Sequence, residues 1–133
     1  AVNRLRSQPK ALAAGSSVVY IYFNDLDKIF QFGPYGPMHA TAGTFAFKRE
    51  LLSQTKYDDE AEMAEEKKFL KNYTVPLVQL DPRKSILCFA HQYNTFDKRK
   101  LLVNKNPNFV RSTSLKPSSF IKDKSLLKFY ATI

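Results

Sequence analysis

Apolar and polar positions alternate most clearly near the start of the chain. Val18-Val19-Tyr20-Ile21-Tyr22-Phe23 is wholly β-branched or aromatic and predicts a strand. Asn24-Asp25-Leu26-Asp27 is turn-forming. Lys28-Ile29-Phe30-Gln31-Phe32 then alternates up to Gly33-Pro34. Together these segments predict a β-hairpin with a four-residue loop. Gly33-Pro34-Tyr35-Gly36-Pro37 fits neither a helix nor a central strand and is a rigid loop, with Tyr35 as a docking knob or laid back on the core.

Further along, Gly43 to Lys48 predicts a third strand. Asp58 to Leu70 predicts the clearest helix. Acids fill its first turns and lysines its last, Asp58 or Asp59 caps it, and Met63, Phe69 and Leu70 form a narrow apolar stripe. Thr74 to Leu80 and Ser85 to Tyr93 predict two more strands, joined by an Asp81-Pro82-Arg83-Lys84 turn. Pro76 assigns the first of these to a sheet edge. Ile86 to Ala90 is apolar on both faces and is expected at a sheet centre. Beyond Asn94 regularity fades, with one helical turn over 98–103 and a short helix from Ser118 to Phe129.

The fold class read from this pattern is α+β. It comprises a small antiparallel sheet of four to five strands, one acidic helix packed on it, and extended basic N- and C-terminal segments. The domain boundaries that follow are a basic N-terminal arm over 1–16, a small α+β core over 17–97 and a basic extended segment over 98–133.

Charge sharpens this picture. The chain carries 21 Lys and Arg against 12 Asp and Glu, a formal net charge of +9. The excess is polarised: residues 58–72 hold six acids and three bases, whereas residues 73–133 hold eleven bases and three acids. Between Lys98 and Lys128 the only acid is Asp123. Short apolar clusters and turn formers interrupt the basic residues there. Such a segment is built to lie along an anionic partner and set anchors into it. The candidate partner-binding residues are Lys98, Arg99, Lys100, Lys105, Phe109, Arg111, Lys116, Lys122, Lys124, Lys128, Phe129 and Tyr130, with Leu126 as a further anchor.

Candidate chemistry changes little. Four Gly leave no Gly-rich phosphate loop. Cys88 and His91 stand three apart in a predicted strand, so they point to opposite faces, and no second ligand pair exists. No metal, cofactor or catalytic set is expected, and the chain reads as a non-enzyme. Tyr20 and Tyr22, like Phe45 and Phe47, alternate as base-stacking aromatics of RNA-binding sheets do, but core packing is the expectation. With one cysteine no internal disulfide forms, which fits an intracellular, reducing compartment. The first 24 residues hold Arg4, Arg6 and Lys10 and no acid, reading as a basic arm or as the remnant of a mitochondrial or plastid transit segment. No apolar run is long enough to span a bilayer.

The expected function is that of a non-catalytic structural, linker-type subunit of a large assembly, and not a self-sufficient monomer. Its partners would be acidic protein subunits or ribosomal RNA. The alternative is a stand-alone RNA-binding module whose C-terminal lysines and arginines contact phosphates.

Overall fold

The computed structural model describes residues 1–55, 69–71, 74–91, 102 and 109–131. The helix predicted over 58–70 lies almost wholly outside the described residues, as do Lys98, Arg99, Lys100 and Lys105. The chain is α+β with two mixed sheets and few helices. It divides into two compact units, one formed by Ala1–Val18 and Pro34–Ser85, the other by Val19–Gly33 and Ile86–Ile133.

The first unit opens with helix α1 (Val2–Ser7), which buries Leu5. Strand β1 (Ala13–Gly15) follows, in the segment the sequence assigns to a basic arm. It is instead the middle strand of a three-stranded sheet, antiparallel to β4 (Ala46–Phe47) and parallel to β5 (Leu77–Gln79). Ala-Ala-Gly has weak strand propensity. It serves here because the neighbouring chain comes so close: a Cβ built on Gly15 would stand 2.3 Å from the Ala40 Cβ. The core beside this sheet gathers Ala13, Ala40, Leu51, Phe69, Leu70, Val75 and Leu77. Phe69 meets Phe45 edge-on at 5.5 Å and Phe47 at 4.8 Å. Pro76 immediately precedes β5, which among the described residues lies at a sheet edge, and the Pro76 carbonyl accepts the Leu12 amide at 2.9 Å.

Among the described residues every buried side-chain nitrogen and oxygen has a hydrogen-bond partner. The Ser16 amide donates to Thr44 Oγ1 at 2.9 Å and the Ser16 hydroxyl to the Val18 carbonyl at 2.7 Å. Gln79 works as a bracket. Its Oε1 accepts the Ser17 amide at 2.9 Å, and its Nε2 donates to the Pro37 and His39 carbonyls at 2.8 and 3.0 Å. Tyr35, on the loop so held, is exposed and stacks on His39 at 4.7 Å.

In the second unit the predicted hairpin is present. Strands β2 (Val19–Phe23) and β3 (Lys28–Phe32) pair in register from Val19 with Phe32 to Phe23 with Lys28. Asp27 closes the turn at φ 47°, a left-handed conformation that Asp tolerates better than most residues. Strand β6 (Leu87–Ala90) pairs parallel to β2, and β7 (Val110–Ser112) antiparallel to β3, giving the order β6-β2-β3-β7.

Two expectations change here. The sequence reading has one antiparallel sheet, whereas the structure has two mixed sheets. The parallel pairs β1–β5 and β2–β6 join segments distant in sequence, which local periodicity does not encode. Ile86 to Ala90 was expected at a sheet centre, yet among the described residues β6 lies at an edge, and β2 and β3 are central. Of Ile86 to Ala90 only Ala90 is buried and Ile86 is exposed, so an apolar run does not by itself fix a central position.

Side chains alternate across the larger sheet. One face sets Ile21 and Phe23 among Phe30, Phe32 and Ala90, with Val19, Cys88, Leu102 and Val110 at the margin. Phe23 meets Phe30 edge-on at 5.6 Å. The other face carries Tyr20 and Tyr22, both buried. Phe120 covers Tyr20 at 5.4 Å, and Phe89 meets Tyr22 at 5.5 Å. The Tyr20 hydroxyl donates to Gln31 Oε1 at 3.3 Å and that of Tyr22 to Asp27 Oδ1 at 2.8 Å.

Two predictions follow from packing. Gly15→Ala should destabilise the chain by about 1–3 kcal/mol through overpacking, measured by urea unfolding. Gly36→Ala, which meets nothing within 4 Å, should be nearly neutral. The Tyr22 phenol is pushed up to about 12 by burial, then by its hydrogen bond to Asp27 and that carboxylate's charge. Its folded value therefore lies above its unfolded value of 10.0. The stability linked to this shift is complete below pH 10 and is lost as pH rises toward 12. Tyr22→Phe should flatten the alkaline fall in unfolding free energy over that window.

Candidate functional site

The described part of the predicted basic extension is folded onto the second unit. After β7, the Thr113 amide and hydroxyl both donate to the Ile29 carbonyl, at 3.1 and 2.7 Å. Exposure then alternates through Thr113, Leu115 and Pro117, which are half-buried, to Phe120 on the tyrosine face. A 3₁₀ turn at Pro117–Ser119 redirects the chain, and the Lys122 ammonium donates to the Ser118 carbonyl at 3.2 Å. Helix α2 (Lys124–Ala131) ends the described chain. The short helix expected within 118–129 is thus present but begins later, because Pro117 and Asp123 each fix a local turn.

Asp123 starts α2. Its Oδ1 accepts the Ser125 hydroxyl at 2.6 Å, the Ser125 amide at 2.9 Å and the Leu126 amide at 3.0 Å. These are orphan donors of a helix N-terminus. The bond from the Ser125 hydroxyl, then those from the Leu126 and Ser125 amides, hold the Asp123 carboxyl below the usual carboxylate range. The only acid of the basic segment is therefore committed to starting the helix.

Helical spacing sorts the side chains of α2. Lys124 and Lys128, one turn apart, form a basic row. Leu126, Phe129 and Tyr130, at i, i+3 and i+4, form an apolar one. Tyr130 seats the helix by stacking on Phe89 at 5.4 Å, yet stays 40% exposed. Leu126 is 52% and Phe129 61% exposed, so the apolar row is mostly uncovered. Phe129 meets Tyr130 edge-on at 5.2 Å.

Of the sequence-predicted site residues, the structure brings Lys122, Lys124, Lys128, Phe129 and Tyr130 together on or beside α2. Leu126 joins them. Phe109 and Arg111 belong instead to β7 and its approach: the Phe109 carbonyl accepts the Gly33 amide at 2.8 Å, and Arg111 is exposed opposite Gln31. Lys116 is exposed ahead of the 3₁₀ turn. Sequence reasoning missed the aromatic seat of Tyr20, Tyr22, Phe89 and Phe120. The alternating tyrosines were its only signal, and alternation does not say what covers them.

Among the described residues no group of three or more His, Cys, Asp or Glu side chains is placed to hold a metal ion, and no helix is long and apolar enough to cross a membrane. Cys88 sits in β6 opposite Ile21, in the apolar cluster of the sheet.

The sign for Asp123 is that of a depressed carboxyl: its contribution is present above the unfolded value and is lost as pH falls through the folded one. Protection factors at Leu126 and Leu127, corrected for the intrinsic pH dependence of amide exchange, should therefore fall on acidification, and Asp123→Ala should show low protection at neutral pH already. Comparison with protein-family models, with curated proteins and with solved structures finds no match to this chain.

Proposed function

We propose that this chain is a non-catalytic accessory subunit of a larger multi-subunit assembly, docking through its basic, aromatic-anchored C-terminal segment onto an acidic protein neighbour. The observation that carries this reading is α2, where Leu126 and Phe129 stand largely exposed beside Lys122, Lys124 and Lys128. Fully burying a Leu or Phe side chain contributes roughly 1.5–3 kcal/mol. A helix that leaves this surface in water offers it to a neighbouring protein. The lysines fit a rim of carboxylates around the apolar contact, where charge sets orientation and association rate.

Apolar anchors favour a protein surface over a phosphate backbone, which offers them no pocket. Tyr20 and Tyr22, the aromatics best spaced to stack bases, are already buried. In the proposed arrangement the acidic run from Asp58 to Glu66 forms a helix with a solvated carboxylate face. Lys98, Arg99, Lys100 and Lys105 extend the basic surface. The basic, acid-free first 24 residues and the lone Cys88 fit assembly in a reducing compartment such as a mitochondrion or plastid.

Removing everything beyond residue 105 is a poor test, because β7 and Phe120 would go with it. Paired exposed substitutions are better. Leu126→Ala with Phe129→Ala should leave thermal unfolding nearly unchanged but weaken incorporation into the native complex at least tenfold, as roughly 2 kcal/mol per lost anchor implies. Lys124→Glu with Lys128→Glu should act likewise and more strongly at low salt. Cross-linking mass spectrometry of complexes isolated at low salt reads both. Unchanged incorporation in both variants would sink the proposal. Release by nuclease, with the apolar pair dispensable, would instead establish the RNA-binding alternative.

A further inference from the structure

The first unit holds a cleft of about 640 Å³, within the usual size of small-ligand sites, lined in part by Asn3, Arg4, Thr44, Gln79, Asp81 and Lys84. Hydrogen-bond accounting separates these groups. Gln79 spends its Oε1 on the Ser17 amide and both Nε2 protons on the Pro37 and His39 carbonyls. Thr44 Oγ1 is bound to the Thr41 carbonyl and the Ser16 amide. Ser85, also on the cleft wall, donates its hydroxyl to the Asp81 carbonyl at 2.8 Å. Asp81 is the one carboxylate among the lining residues, and its Oδ1 accepts the Arg83 amide at 2.9 Å. Among the side chains of the lining residues, the donors left to a ligand are the Arg4 guanidinium, the Lys84 ammonium and the Asn3 amide.

Both cations sit on fixed supports. Arg4 stands on α1, which is pinned by the buried Leu5 and by the Leu5 amide donating to the Ala1 carbonyl at 2.9 Å. Lys84 closes the 3₁₀ turn that Asp81 caps. We infer that this cleft binds a small phosphate-bearing anion. A planar guanidinium fork, a mobile ammonium and an amide offer donors to the three terminal oxygens of a phosphate monoester, whose near double charge draws the two cations more strongly than a singly charged carboxylate does. The site lies apart in the chain from α2 and does not depend on the docking proposal.

The test is a titration of the ¹⁵N-labelled full chain with inorganic phosphate, pyrophosphate and acetate at constant ionic strength. Phosphate and pyrophosphate should give saturable shifts at Asn3, Arg4, Lys84 and Ser85, and acetate much weaker ones. Arg4→Gln and Lys84→Gln should each weaken binding roughly tenfold, as loss of one charged hydrogen bond implies. Both side chains are exposed, so circular dichroism should show the variants folded. Lys124→Gln with Lys128→Gln should leave the phosphate shifts intact. Shifts that do not saturate, that persist in the Arg4→Gln, Lys84→Gln double variant, or that acetate matches would overturn the assignment.

Discussion

Burial of both faces of β2 is the constraint on which the second unit depends. Its five residues pair with β3 on one side, and four of them, Tyr20 to Phe23, pair with β6 on the other. Ile21 and Phe23 fill the apolar cluster, and the opposite face turns two tyrosines inward. A buried phenol must keep a partner for its hydroxyl. Gln31 and Asp27 supply them from within the hairpin. The rings still need cover, and the C-terminal segment provides it through Phe120 and, by way of Phe89, through Tyr130. The basic end of the chain is therefore held by aromatic packing, not by its charges.

That division of labour explains what remains on the surface. With Tyr130 seating α2 and Asp123 satisfying its first amides, Leu126 and Phe129 stay largely exposed beside the lysines. The first unit follows a similar economy. In its interior Thr44 accepts the Ser16 amide and Gln79 accepts the Ser17 amide, and Arg4 and Lys84 line a cleft. The positive charge of the chain thus resolves into local arrangements with different neighbours. On α2 the cations flank apolar anchors, and in the cleft they flank polar groups. The first arrangement suits a protein surface and the second a small anion.

Local signals carried part of this architecture. The β2–β3 hairpin was legible because its first strand is wholly β-branched or aromatic, its second alternates with period two, and the Asn24-Asp25-Leu26-Asp27 turn chemistry between them is local. The Asp81-Pro82 turn and the edge position of β5 were legible for the same kind of reason, since a proline restricts its own backbone. Strand β1 was not. Ala-Ala-Gly is poor strand material by propensity, and only the approach of Ala40 makes small residues necessary there. The candidate site was half legible: Lys122, Lys124, Lys128, Phe129 and Tyr130 could be named from charge and hydropathy, but nothing in the run placed Phe109 and Arg111 on a sheet edge.

By itself, then, the sequence determined the mixed α+β character, the hairpin, the turns and the polarised charge. Each depends on residues within a few positions of one another. The tertiary structure alone decided that there are two sheets, that β1 and β2 take parallel partners from much later in the chain, and that the basic segment folds back on a tyrosine face. Those outcomes depend on which distant surfaces bury each other, and that is a property of shape and packing that no short window of residues contains.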